Sequence, residues 1–551
     1  MNILASIGGS VNTIAMGAIL LLYVAVIGYL GFRGYRKTRS SSDYLIAGRS
    51  VNPFVMAMSY GAAFISTSAL VGFGGIAGEF GMGLMWLVFM NIAFGILVAF
   101  IWFGRSTRRI GLALDARTFP EFIGRRFQSE RMKIFIAAVI FCFLPLYTSV
   151  VLISGARFLQ EVMDLPYLLV LTIFSLVVAV YVIFGGLRGV MYVDALIGSI
   201  MVGGMILLLV LCYIHLGGVS QAHRTLTDMA PLVKERLPQE YALGHRGWTV
   251  MPQFNSVWWW TLVSSLMLGV GIGALAQPQL AVRFMTVKSD RELNRAVMVG
   301  SFFILCTAGA AYMVGALSNV FFYYTDKGIA EGRAQLAIEA AGGNPDLIIP
   351  IFIREALHPM VLYIFALTML SAAMSTLSSL FHVSGTSIGY DICARFTRNV
   401  ESPSITRIGV CFGIMLSLIF AVILPPGVVA RGTAIFFGVC AAAFLPAYMA
   451  ALYWRRATRA GAWAAIAVGA GVSAFGLLFL HRKESAMLGI CEKLFGVKEL
   501  IHAHPWPFVD PFVYALPLSA LTLIVVSLLT APPDAEHLDK CFNRPADGGK
   551  K

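Results

Sequence analysis

Charge is what this chain has least of. Only 13% of its 551 residues are Asp, Glu, Lys or Arg, about half the roughly 25% of an ordinary soluble domain. A soluble fold needs a polar shell, and too little is present here to build one. No polar stretch is long enough for a separate soluble domain; the longest runs from about Gly217 to Pro252. The cysteines show no CxxC pair and no Cys/His metal spacing. Cys142, Cys212, Cys306, Cys411 and Cys440 therefore read as small packing residues inside apolar runs. Paired catalytic carboxylates, a His-rich metal box and a nucleophile motif are also missing, so an enzyme is not expected. The formal charge of +13 would suit nucleic acid only if the basic residues gathered on one folded face. They sit instead in short segments between apolar runs, so no nucleic acid is expected, and nothing calls for an obligate protein partner.

What is present is apolar length. Hydrophobic residues make up 58% of the chain, and its mean hydropathy is +0.80. A helix needs about 20 mostly apolar residues to cross the hydrocarbon core of a bilayer. Thirteen runs qualify: 11–33, 53–78, 81–104, 133–158, 166–186, 190–216, 254–277, 296–322, 357–388, 406–424, 432–453, 460–480 and 509–531. The first is too long for the core of a cleavable leader and reads as a retained helix. An all-α, multi-pass protein of a cell membrane is expected, with lipid as its solvent. An outward N-terminus places most of the 41 Lys and Arg on the inner side, including Arg33, Arg36, Lys37, Arg39, Arg105, Arg108 and Arg109. The positive-inside rule thus predicts the N-terminus outside and the C-terminus in the cytoplasm.

Two runs are unlike lipid-facing helices. The second holds Gly61-Ala62-Ala63-Phe64-Ile65-Ser66-Thr67-Ser68, then Gly72, Gly74, Gly75 and Gly78. The seventh holds Ser264-Ser265, Gly269-Val270-Gly271-Ile272-Gly273 and Gln277-Pro278-Gln279. Small residues can simply permit tight helix packing. These two lie five runs apart, however, so they cross in opposite directions. That is the arrangement of two inverted five-helix repeats whose first helices are both broken near the midplane. Breaks are expected near Ala62–Ser66 and Gly269–Gly273. The repeats would span 53–216 and 254–453, with a helix and loop in 1–52 before them and two more helices and a short tail in 454–551.

The ninth run carries Ser371-Ala372-Ala373-Met374-Ser375-Thr376-Leu377-Ser378-Ser379. Positions 372, 375, 376 and 379 share one helical face, which presents three hydroxyls and no charge. Such oxygens suit a hard cation such as Na+, although Ser and Thr also bond back to their own helix. Asp194, near the cytoplasmic end of the sixth run, is an intramembrane carboxylate and so a functional candidate; the alternative is a structural partner for Arg188 or for a nearby helix terminus.

Four segments carry a family resemblance. Ser41-Ser42-Asp43-Tyr44-Leu45-Ile46-Ala47-Gly48-Arg49, Phe184-Gly185-Gly186-Leu187-Arg188-Gly189-Val190-Met191-Tyr192-Val193-Asp194, Ala373-Met374-Ser375-Thr376-Leu377-Ser378 and Tyr453-Trp454-Arg455-Arg456-Ala457-Thr458 resemble, in order, motifs of the sodium/solute symporter family. The resemblance implies a LeuT-like core of two inverted five-helix repeats, with one extra helix before it and two after. It implies a sodium site from Ala62, Ile65, Ala372, Ser375 and Thr376. It also implies, as in members similar to sialic acid transporters, a second sodium site from Asp194, Ser375, Ser378 and Ser379.

The implied activity is sodium-coupled symport of a small organic solute by alternating access. The solute is expected between the broken helices, touching Ser66, Thr67, Ala69, Phe73, Tyr147, Trp259, Val270 and Gly273. Gly273 falls near the position where sugar transporters of this family place an aromatic gate, which disfavours a sugar. The segments Phe64–Ala69 and Gly155–Leu159 look more like the pantothenate and proline branch, so a carboxylate or amino acid is expected. Two alternatives stay open: a symporter-like sensor, for which the tail from Pro532 to Lys551 offers no signalling domain, and proton coupling on the same fold.

Overall fold

The computed structural model describes residues 13–38, 40–163, 165–324, 334–393, 403–424 and 429–543. The expected outward N-terminus, Arg39 and the end of the tail lie outside the described residues. The elements are helices throughout, with no strand among the described residues. They are α1 (Thr13–Lys37), α2 (Ser41–Ile46), α3 (Pro53–Phe64), α4 (Ser68–Ala113), α5 (Phe119–Arg126), α6 (Glu130–Met163), α7 (Tyr167–His215), α8 (Val257–Ala276), α9 (Pro278–Phe284), α10 (Asp290–Tyr324), α11 (Val361–Ile392), α12 (Pro403–Ile423), α13 (Val429–Tyr453), α14 (Arg459–Leu480), α15 (Phe512–Leu529) and α16 (Ala535–Phe542). Shorter helices fill the loops.

Eleven of these are long and apolar enough to cross a membrane, against the thirteen runs expected. The difference lies in continuity. The second run is split between α3 and the start of α4, and α4 continues into the third run. Runs five and six are joined in α7, whose 49 residues would extend ~74 Å as one straight helix, more than twice the ~30 Å of a hydrocarbon core. The chain turns inside α7 at Gly186 (φ 56°, ψ −165°) and inside α4 at Gly81 (φ 65°, ψ −150°). Only glycine adopts such angles without strain.

Enclosure is uneven. In their apolar windows 89% of α13 and 78% of α11 is buried, against 22% of α1 and 28% of α14 and α15. The middle of the molecule is therefore α11 and α13, and α1, α14 and α15 lie on its outside.

The first expected break is where it was placed. Pro53 opens α3, with Asn52 accepting the Phe54 N–H at 2.9 Å, a standard start. The helix stops at Ile65 (φ −93°, ψ 99°), beside three hydroxyl residues that compete for backbone groups. The second break needs correction. Gly269 (φ −57°, ψ −50°) and Gly273 (φ −58°, ψ −29°) are helical. The interruption falls at Gln277 (φ −71°, ψ 117°), because the residue before a proline is driven out of the α region. The glycines serve packing: a Cβ at Gly273 would lie 2.4 Å from the Phe437 carbonyl oxygen.

The loop before α8 closes over the end of the first broken helix. Trp248, 1% exposed, donates its indole N–H to the Gly78 carbonyl at 2.9 Å. His245 stacks on Trp258 (4.5 Å, 8°) and meets Trp248 edge-on. Burial, with Arg246 adding, lowers the His245 imidazole to about 4. A histidine held neutral in the fold contributes stability that is present above its ordinary pKa of 6.5 and lost as pH falls towards 4. Hydrogen–deuterium exchange at the backbone of residues 244–250, corrected for the intrinsic pH dependence of exchange, should therefore accelerate on acidification through that window, and His245→Phe should reduce that acceleration.

Candidate functional site

The last carbonyls of a helix have no intrahelical partner. At the end of α3 those of Ala62 and Ala63 point to α11. Ser375 donates to the Ala62 oxygen at 2.7 Å, and Thr376 reaches Ala62 at 3.2 Å and Ala63 at 3.4 Å. Ser375 also contacts the Ala372 oxygen at 3.0 Å. Ala62, Ala372, Ser375 and Thr376 are all fully buried. Four of the five residues expected in the first sodium site thus converge through neutral oxygens, the donor set that unwound carbonyls and hydroxyls offer to Na+. Ile65 is the residue at which the helix stops. Two tyrosines missed in the sequence hold α11 from behind: Tyr23 bonds Ser371 at 2.7 Å, and Tyr181 donates to the Met374 oxygen at 3.0 Å.

Beside the next turn of α11 lies Asp194 of α7, with a partner other than those expected. Arg188 pairs with Asp43 at 2.9 Å. Asp194 pairs with Arg283 of α9 at 3.1 Å, and both side chains are at most 1% exposed. Ser59 donates to the same Asp194 oxygen at 2.7 Å, and Ser378 approaches the other at 3.5 Å. Arg283 also donates to Ser379 at 2.5 Å, Ser59 at 3.0 Å and the Gln279 carbonyl at 2.6 Å. The residues expected in the second sodium site are brought together, but a guanidinium sits among them. Ser378 and Ser379 bond back to the Ser375 carbonyl at 2.8 and 3.0 Å, as hydroxyls in helices do. Arg283 lies between the seventh and eighth apolar runs, so its burial beside Asp194 left no signal in the hydropathy pattern.

The expected solute contacts divide. Ser66 and Ser68 share a 2.5 Å hydrogen bond, and the Tyr147 hydroxyl lies close to both. Tyr147 stacks on Phe436 (4.7 Å, 11°) and meets Phe437 edge-on at 5.8 Å. Phe437 in turn lies against Phe64 (6.2 Å) and packs on Gly273. Phe436 and Phe437 were missed, because two phenylalanines in an apolar helix look like ordinary core. Thr67 donates to the Val151 carbonyl at 3.4 Å. Ala69 and Val270 are buried, and Phe73 packs on Tyr312 at 6.2 Å. Trp259 is set apart. It lies in the first turn of α8 against Phe254 and Trp260, a helical distance of ~20 Å from Gly273. A cavity of about 320 Å³ is lined by Tyr147, Phe436 and Glu484 among mainly apolar side chains.

Broken, buried helices lined by neutral oxygens inside a multi-pass bundle define a membrane transporter of small solutes rather than an enzyme. The family model of the sodium:solute symporter family matches residues 44–469, and the chain belongs to that family. It is similar to the osmoregulated proline transporter OpuE of Bacillus subtilis, with 27% identity over 82% of this chain and 86% of the relative. A sodium/proline symporter of Staphylococcus aureus is 26% identical over 95% and 94% of the two chains. Among solved structures, a Na+-coupled sialic acid symporter in a substrate-bound outward-open state superposes with a TM-score of 0.69. That match covers 94% of this chain and 98% of the other at 17% identity, a likeness of fold.

Proposed function

We propose that this chain is a sodium-coupled symporter that imports a small carboxylate or amino acid across the cell membrane, with proline as the first candidate. The observation that carries the reading is the meeting of the Ala62 carbonyl with the Ser375 and Thr376 hydroxyls at the break after α3. Ala62, Ile65, Ala372, Ser375 and Thr376 form the sodium site, and the solute lies beside it among Ser66, Tyr147, Phe437 and Gly273. Two inverted five-helix units, 53–216 and 254–453, alternate access to this centre, with the N-terminus outside and the C-terminus inside. The proline relatives support the solute class. Asp194, Ser375, Ser378 and Ser379 remain the candidate second sodium position, with Arg283 as the competing cation.

Uptake by proteoliposomes tests this reading. With an inward sodium gradient, labelled L-proline or another amino acid of the panel should accumulate above equilibrium, and replacing sodium by potassium should abolish the accumulation. Accumulation driven equally well by a proton gradient without sodium would favour proton coupling. No accumulation of any solute under either gradient would favour a sensor.

A further inference from the structure

The second broken helix carries two buried polar atoms that no described residue bonds. Gln277, at the break, is 0% exposed, and Gln279 is 2% exposed. Gln279 donates to Gln277 through Nε2 and Oε1 at 2.6 Å. Gln277 Nε2 and Gln279 Oε1 have no hydrogen-bond partner among the described residues. The chemistry does not depend on which way each amide is turned. One hydrogen bond between two carboxamides always leaves the NH2 of one and the oxygen of the other free. The pair therefore presents one donor and one acceptor side by side. A buried polar group left unsatisfied is costly, so both favour a ligand that completes them.

The pair lies level with the first break. On one side of Gln277, Arg283 bonds Ser59 and Phe284 packs on Tyr60 at 5.5 Å, both in α3. On the other side, Gly273 packs on Phe437, which lies against Phe64 at the end of α3. From the Tyr60–Phe284 contact, Ile65 is about 8 Å along α3 and Gln277 about 10 Å along α9 at 1.5 Å per residue. The two interruptions thus face one another at one depth.

We propose that Gln277 and Gln279 read the charged ends of a zwitterion: the free amide N–H2 donates to its carboxylate and the free amide oxygen accepts from its ammonium. This inference rests on the symport reading above and narrows the solute from carboxylates and amino acids to α-amino or α-imino acids. A bare carboxylate leaves the acceptor empty, and a bare amine leaves the donor empty. A neutral polyol fills both, but without the charge assistance that roughly doubles the strength of each bond. The Arg283 hydrogen bond to the Gln279 carbonyl fixes the backbone that carries the second amide.

The test is competition in proteoliposomes under a sodium gradient. Labelled L-proline and L-alanine are the transported probes. The competitors are unlabelled L-proline, cyclopentanecarboxylate, pyrrolidine and glycerol. The intact protein should prefer the zwitterion over cyclopentanecarboxylate and pyrrolidine by about a hundredfold, the effect of leaving one buried partner unmatched, and over glycerol by about tenfold, the effect of losing charge assistance. In Gln277→Met and Gln279→Met, chosen to keep side-chain volume, that preference should shrink at least tenfold. Competition by the carboxylate, amine or polyol as strong as that by unlabelled L-proline would overturn the inference and leave symport standing. So would Met variants that transport with unchanged preference. If the variants fail to fold, competition on the intact protein decides alone. Absence of sodium-driven uptake for every probe would instead refute the symport reading beneath it.

Discussion

Replacing Ser375 and Thr376 together by Ala should lower sodium affinity about a hundredfold, from roughly tenfold for each ligand worth 1.4 kcal/mol. Ala is a good helix former, so α11 should persist. The Ala62 carbonyl loses its two hydroxyl donors, however, and a drop of a few degrees in thermal stability is expected alongside. Binding free energies are linked, so solute affinity at fixed sodium should fall by the same coupling factor. Raising sodium should recover it, since the Ser66–Tyr147 cluster is untouched. The measurement is the sodium concentration giving half-maximal solute binding in purified protein. A folded double variant with the parental value would leave these hydroxyls as caps for the end of α3 and nothing more.

The second large effect concerns the ion pair of Asp194 and Arg283. Removing one partner strands a buried charge, which costs about 3–5 kcal/mol. Asp194→Asn and Arg283→Gln should each lower the melting temperature sharply in detergent. The combined variant should recover most of the loss, because a buried pair contributes little net stability once both charges are gone. The combined variant also separates two roles. If Asp194 is a sodium ligand, the number of sodium ions moved per solute should fall by one even though the fold is restored. If it serves only to tie α3, α7, α9 and α11 together through Ser59, Arg283 and Ser379, that number stays unchanged. Single variants as stable as the parent would contradict the pairing itself.

Local chemistry decides what could be read from the sequence. Hydroxyls crowded into an apolar run marked Ser375 and Thr376, and small and polar residues in a long run marked the break at Ile65. Both signals are contiguous, so a single chain segment suffices to show them. The second break was misplaced because glycine density was given more weight than the proline at 278, whose effect on Gln277 is local and predictable. Arg283 and Asp194 are 89 residues apart, and nothing in the intervening chain fixes their meeting; only the fold brings α9 beside α7. Phe436 and Phe437 were invisible for the opposite reason, since their apolar surroundings hide a role set by Tyr147 and Gly273 across the bundle. Trp259 was overread: an aromatic at the start of a membrane helix belongs to the interface.

The account's central claim is that sodium at the end of α3 and solute between the two breaks stabilise one another. Its most direct test is a pair of binding isotherms on purified protein. Solute affinity is measured at low and at saturating sodium, and sodium affinity is measured without and with saturating solute. The predicted result is one common factor, of the order of 5–150-fold, in both directions. Solute binding that is indifferent to sodium, with sodium binding indifferent to solute, would contradict it.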